Sequence, residues 1–213
     1  MMDTVFVKQY KGLQPDRNEI RRYAGMPKAF GNDPLMQECL QELGGINGRL
    51  CWRTFPILRQ EDRLDLGFCR TDSKSLAINL KGCSSLVLFA GTLGIEIDRL
   101  LARYGRLSPA KALWFQAIGA AGVEAMCDAF CEDVPKLLGA AAFAGPAPAE
   151  GARIRTKPRY SPGFGDFGLD YQPFIFSALE CERQIGLTLT DSLLMSPTKS
   201  VTALIGVLDE EDR

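Results

Sequence analysis

The 213-residue sequence contains no histidine, and that one absence closes several chemistries. Ser-His and Cys-His nucleophile pairs, HExxH zinc sites and an imidazole general base all require the missing residue. A histidine ligand to haem iron or to cobalt is equally impossible. Seven cysteines are present (Cys39, Cys51, Cys69, Cys83, Cys127, Cys131 and Cys181), but none forms a CxxC pair. Their odd number and apolar surroundings read as reduced thiols of a cytosolic protein. No run reaches about 18 consecutive apolar residues, so no bilayer span is expected. The opening MMDTVFVKQYKG lacks the apolar stretch and cleavage site of a signal peptide. Charge of one sign is scarce too. The 25 basic and 26 acidic side chains leave a formal charge of -1, which offers no bulk attraction to nucleic acid or to an anionic membrane.

What is present is 46% hydrophobic and 24% charged, the make-up of one globular domain of ordinary size. Residues 1–50 read as a helical, amphipathic segment packed on a main domain of residues 51–213. Pro15-Asp16 opens one helix that Gly25 closes, and Asp33 with Pro34 caps a second that ends at Gly44-Gly45. RLCWRTFPI and LDLGF alternate as a pair of antiparallel strands. Asp72 or Ser73 starts a short helix, and the unbroken Leu86–Ala90 run predicts a strand covered on both faces. A helix bearing Ile95, Leu100 and Leu101 follows. Ser108-Pro109 opens the longest helix, which Pro135 is expected to end or kink. Residues 140–152 have the composition of a surface connection. Then come a basic strand-like piece from Arg153 to Arg159, a glycine- and proline-rich loop, a helix near Tyr171–Glu180, and strand candidates IGLTLTDSLLM and SVTALIGVL. These elements predict an α+β fold with a mixed or mostly antiparallel sheet and several packed helices.

Chemistry concentrates in Lys157-Pro-Arg-Tyr-Ser-Pro-Gly-Phe-Gly-Asp166. Prolines stiffen such a loop, glycines let a ligand approach the backbone, and an arginine offers a bidentate partner for a carboxylate or phosphate. The same composition also suits a plain strand-to-helix connection, and the pattern alone leaves both readings open. Cys127 and Cys131 stand one helical turn apart. With no histidine and no second tight pair they read as core thiols, and no metal site is expected.

The strings RYSPGFGDFGLDYQPFIF and IGLTLTDSLLMSPTKSVTALIGV, with NLKGCSSLVLFAGTLGIEIDRLLARY and AIGAAGVEAMCDAF upstream, carry a resemblance. From about Leu76 to Val207 the chain resembles the S-adenosylmethionine-binding activation domain of cobalamin-dependent methionine synthase, particularly its free-standing subunit form. The resemblance implies that the protein binds S-adenosylmethionine and supports reductive methylation of oxidised cobalamin carried by a partner. That partner is a methionine synthase or related corrinoid protein, served by a flavodoxin or ferredoxin-type reductant. It implies no catalytic acid or base in this chain. Arg159 matches the arginine that holds the methionyl carboxylate, Ser161 and Gly163 match loop positions along the ligand, and Glu124 matches a helix carboxylate near it. Glu124 also reads as an ordinary charge at the edge of a packed helix.

Two departures stand out. Phe164 replaces the family's usual tyrosine, which removes a hydroxyl worth about 1 kcal/mol if its bond was neutral. The sequence also runs out at Leu208 and DEEDR, where the fused domain is expected to continue through another strand. Both departures fit an alternative role as a non-catalytic interaction module on a corrinoid protein without affinity for S-adenosylmethionine. The missing histidines mean that any corrinoid held through that residue belongs to another polypeptide.

Overall fold

A computed structural model of the protein describes residues 4–27, 33–60, 63–140 and 154–208. In chain order the elements begin with β1 (Phe6–Leu13), α1 (Arg17–Tyr23), α2 (Pro34–Leu43) and β2 (Ile46–Pro56). The short β3 (Leu58–Gln60), β4 (Arg63–Asp65) and β5 (Arg70–Thr71) precede α3 (Lys74–Asn79), β6 (Cys83–Thr92), α4 (Glu96–Leu107) and α5 (Pro109–Ala140). Beyond a 3-10 turn at Leu169–Tyr171 lie α6 (Gln172–Leu179), α7 (Cys181–Ile185), β7 (Thr188–Leu189), β8 (Met195–Ser196) and β9 (Ser200–Leu208).

The fold is α+β, and every described strand pairing is antiparallel. The main sheet has the order β1-β2-β6-β9. Strand alternation sorts its side chains onto two buried faces. Leu50, Trp52, Phe89, Ala203 and Ile205 meet Phe130, Val134 and Leu138 of α5. Cys51, Phe55, Leu88 and Leu204 meet Leu76 of α3, Ile175 of α6 and Cys181 of α7. The Leu86–Ala90 run is therefore covered on both faces, as its unbroken apolar character predicts. Close approach of α5 depends on Gly48 of β2 and Gly91 of β6, where an added Cβ would stand 2.5 and 2.6 Å from the Met126 side chain. A third cluster joins α1, α2 and α4 to the first half of α5 through Ile20, Met36, Tyr104 and Phe115.

Several local signals act as expected. The Asp33 carboxylate accepts from the amides of Leu35 and Met36 with Pro34 in the first turn, and Ser73 Oγ accepts from Leu76 N. Other expectations need correction. The first fifty residues are not helical throughout: Phe6–Leu13 forms a strand paired with β2, and β2 itself starts at Ile46. The LDLGF segment does not pair with β2, because β1 and β6 already occupy both of its edges; β4 joins β3 and β5 instead. Pro135 does not end α5, because Val134 and Leu138 on either side of it are buried against the sheet. IGLTLTDSLLM supplies only the two-residue strands β7 and β8. The connection expected at 140–152 lies, apart from Ala140, outside the described residues, as do Arg153 and the tail from Asp209. No described helix is long and apolar enough to cross a membrane.

Candidate functional site

In an antiparallel edge strand every second residue turns its N–H and C=O away from the sheet. On β9 these are the even-numbered residues. Leu204 exchanges both bonds with Tyr160 (2.8 and 2.9 Å), Gly206 O accepts from Lys157 N (2.8 Å), and Leu208 N donates to Arg155 O (3.0 Å). The segment Arg155–Tyr160 thus covers the later half of β9 as an irregular fifth strand, the form taken by the expected basic strand. It is broken at Pro158, which has no N–H to offer. Past Tyr160 the chain turns away, and the first residues of β9 open onto a cleft of about 880 Å³.

One wall of the cleft is a face of α5. Glu124, Asp128 and Cys131 follow each other at intervals of four and three, which stacks them on one side of the helix. Arg159 projects from the covering segment onto this wall. Its guanidinium donates to Asp128 Oδ1 at 2.9 Å and, through the other terminal nitrogen, to Glu124 Oε2. Its side chain retains 27% of its exposure. Burial opposes the charge, but the Asp128 hydrogen bond and the negative fields of Glu124 and Asp128 work against it, and the guanidinium is held above its ordinary pKa. Burial also pushes the Cys127 thiol up to about 12 and raises Cys131, although Arg159 pulls against both shifts. Both thiols stay protonated near neutrality.

The loop Ser161–Gly168 forms the lip, and Asp166 anchors it. The Asp166 carboxylate accepts from the hydroxyls of Ser73 and Ser75 and from the amides of Lys74 (2.8 Å) and Ser75 (3.1 Å) at the start of α3. These bonds, Ser73 and Ser75 hydroxyls foremost, hold its pKa well below the usual carboxylate range. Gly165 has φ +56, and a Cβ there would lie 2.9 Å from the Tyr160 hydroxyl and 2.8 Å from Ser75 Cβ. The Tyr160 hydroxyl donates to Phe164 O at 3.1 Å. The loop is therefore held by its own polar groups.

Of the residues singled out from sequence, Arg159, Ser161, Phe164 and Glu124 all line the cleft. The Phe164 ring is 64% exposed at the mouth. Gly163 does not line it; its N–H donates to Phe167 O at 2.7 Å, closing the loop on itself. Sequence reasoning missed Asp128, although its spacing from Glu124 was a readable signal. It also missed Gln172, at the start of α6, and Thr202, thirty residues on in β9, for which no local signal exists. Lys199 enters the structure more deeply than its turn-like setting suggests. It is 7% exposed, and its ammonium donates to Gln116 Oε1 at 2.7 Å. Burial lowers its pKa, against the field of Asp98. Among the described residues no group of His, Cys, Asp and Glu is arranged to hold a metal ion.

Lys157 and Arg159 line the cleft with Glu124 and Asp128, so its charged groups balance, and with apolar groups at the mouth it suits a ligand that carries charges of both signs. A solved structure described as the MetH reactivation domain bound to AdoHcy shares the fold, with TM-score 0.60 and 19% sequence identity, covering 98% of this chain and 80% of that one. No family model matches the chain, and no curated protein matches it in sequence.

Proposed function

We propose that the cleft binds S-adenosylmethionine and that the protein reactivates a cobalamin-dependent methionine synthase carried on a separate polypeptide. The observation that carries this reading is the placement of Arg159 between Glu124 and Asp128 at the cleft wall. The fold likeness to a reactivation domain solved with AdoHcy supports it.

S-adenosylmethionine brings a carboxylate, an ammonium and a sulfonium in one short chain. A planar guanidinium can take the carboxylate through two parallel bonds. In doing so it exchanges acidic side chains for the ligand's acid. The ligand's ammonium and sulfonium then compensate Glu124 and Asp128, so no carboxylate is left unpaired. Ser161 lies beside Arg159 in the lip. Phe164 can contribute ring contact but no hydroxyl.

The sulfonium supplies the transferable methyl group, and the corrinoid that accepts it is brought by the partner. This chain's residues position that group and exclude water, and in-line displacement asks them for no acid or base. A flavodoxin or ferredoxin-type protein supplies the electron. Seven free thiols accord with a cytoplasmic setting.

Isothermal titration of the purified chain with S-adenosylmethionine tests the proposal. Saturable binding is expected, with Arg159→Ala weaker by about 100-fold through loss of a charge-assisted bidentate contact. A flat titration of the wild-type chain sinks it. That outcome would leave the second reading, an interaction module on a corrinoid protein, which the pairing of Arg159 with Glu124 and Asp128 favours. Restoration of the methylcobalamin spectrum in an oxidised corrinoid methionine synthase, given reductant and S-adenosylmethionine, tests the reactivation step.

A further inference from the structure

Two of the free thiols meet in the core. Cys51 belongs to the middle of β2 and Cys181 opens α7, and both are buried in the cluster that α6 and α7 form with the sheet. The Cys181 S–H donates to the Cys51 sulfur. That bond and burial raise the Cys181 pKa above the ordinary thiol value, so the closed form is unreactive. The cover over Cys181 is nevertheless thin. It lines the floor of a surface groove of about 780 Å³, together with Leu187, Thr188 and Leu189. The helix α7 is a single turn, Cys181–Ile185, too short to keep its shape through helical hydrogen bonds alone. Left-handed residues fix both its ends: Glu180 at φ +48 before it and Gly186 at φ +70 after it. A glutamate rarely takes that conformation, and its carboxylate is tied to Arg183 and Gln184 of the same turn. A one-turn element between two such bends opens at lower free energy than the sheet beneath it.

We propose that Cys51 and Cys181 are a redox pair: when α7 opens, Cys181 reacts with a glutathione-type disulfide, and its linkage to Cys51 then fastens α7 to β2. In the first step the Cys181 thiol loses its proton to solvent and its sulfur attacks one sulfur of oxidised glutathione. The S–S bond of the oxidant breaks, and the glutathione thiolate that leaves takes up a proton. Reclosure of α7 returns the mixed disulfide to Cys51, and thiols already in hydrogen-bond contact need only a small side-chain shift to reach bonding distance. The Cys51 sulfur attacks the Cys181 sulfur, and its proton leaves with the second glutathione. Two protein thiols are oxidised to one disulfide while one glutathione disulfide is reduced to two thiols. Neither cysteine lines the cleft, so the pair works as described whatever the cleft binds. The reduced form is the one a reducing compartment maintains, and the linked form follows when the glutathione pool becomes oxidised.

The test incubates the full chain with oxidised glutathione, quenches with acid, alkylates the remaining thiols in denaturant and maps the peptides by mass spectrometry. The expected product is a cross-link between Cys51 and Cys181 that dithiothreitol reverses. The linked chain should melt about 5 °C or more above the reduced one, because the bond closes a long loop, and the amides of α7 should gain protection from hydrogen exchange. Gly186→Ala adds a methyl group that meets nothing within 4 Å but strains the left-handed cap, and it should link about fivefold faster. In Cys51→Ala, shown by thermal unfolding to fold when reduced, Cys181 should stop at the glutathione adduct. Free thiols at Cys51 and Cys181 in the oxidised wild type, whatever becomes of the half-buried Cys69 and Cys131, overturn the proposal without any variant. A wild-type Cys181 adduct that never passes to Cys51 overturns the pairing. A linking rate that Gly186→Ala leaves unchanged overturns the opening of α7 as the route.

Discussion

The two edges of the main sheet solve one problem in opposite ways. An edge strand offers unpaired amides and carbonyls to any passing chain. At β1 the answer is charge and irregularity. Lys8 and Lys11 stand on the strand, the register shifts between Tyr10 and Leu13, and Val7 is 44% exposed. Lys8 and Tyr10 both donate to Asp133 of α5, at 2.6 and 2.9 Å. At β9 the answer is cover: Thr202–Val207 is buried, and an irregular segment runs along the later half. The cleft occupies the stretch that this cover leaves open. A protected edge with one gap thus provides directional backbone groups in a dry setting, which the solvated edge cannot do.

The contrast can be broken most sharply by truncation. Leu204→Ala removes a fully buried side chain of the covered edge and should cost about 2–5 kcal/mol, whereas Val7→Ala on the solvated edge should stay within about 0.5 kcal/mol. Urea unfolding of the two variants measures both, and equal losses would erase the distinction. Gly165→Ala should come next, at about 1–3 kcal/mol, because its left-handed backbone is packed against Ser75 and Tyr160. Thermal unfolding should show the loss, and the loosened lip should weaken S-adenosylmethionine in the same sample. Asp166→Asn tests the anchor by pH. Its depressed folded pKa means that its stabilisation is present above the ordinary carboxylate range and lost as pH falls through the folded value. The variant should have a lower melting temperature at neutral pH and a flatter acid limb; parallel curves would show that the anchor contributes nothing. The smallest effect belongs to Lys8→Met. Its ion pair with Asp133 is partly exposed and worth at most about 1 kcal/mol. Light scattering should nonetheless reveal more self-association, because the edge has lost a charge.

Much of this frame is legible residue by residue. Leu86–Ala90 announces a strand with cover on both faces, and Asp33-Pro34 and Ser73 announce helix starts by local hydrogen bonding alone. The loop motif around Arg159 leads to the cleft because proline, glycine and arginine make an unusual local set. What escapes depends on distant partners. FVKQYKGL places lysines on a strand that becomes recognisable only once β2 lies beside it. Pro135 normally stops a helix, but burial of its neighbours overrides the missing amide. Gln172 and Thr202 are thirty residues apart, and neither is distinctive until folding brings the amide to the hydroxyl. Asp166 reads as a turn residue because its ligands, Ser73 and Ser75, lie far upstream.

Lys199 threads its aliphatic stem through a notch on the longest helix. A methyl group at Gly119 would come within 2.8 Å of its Cδ and Cε, and those atoms have no solvent to retreat into. Positions 119 and 199 therefore behave as one lock and one key: enlarging the first is tolerable only if the second is shortened in the same step. Since Lys199 immediately precedes the open stretch of β9, a mismatch between the two would be felt as a displaced strand start, so a substitution on the far helix would reach the ligand without ever touching it.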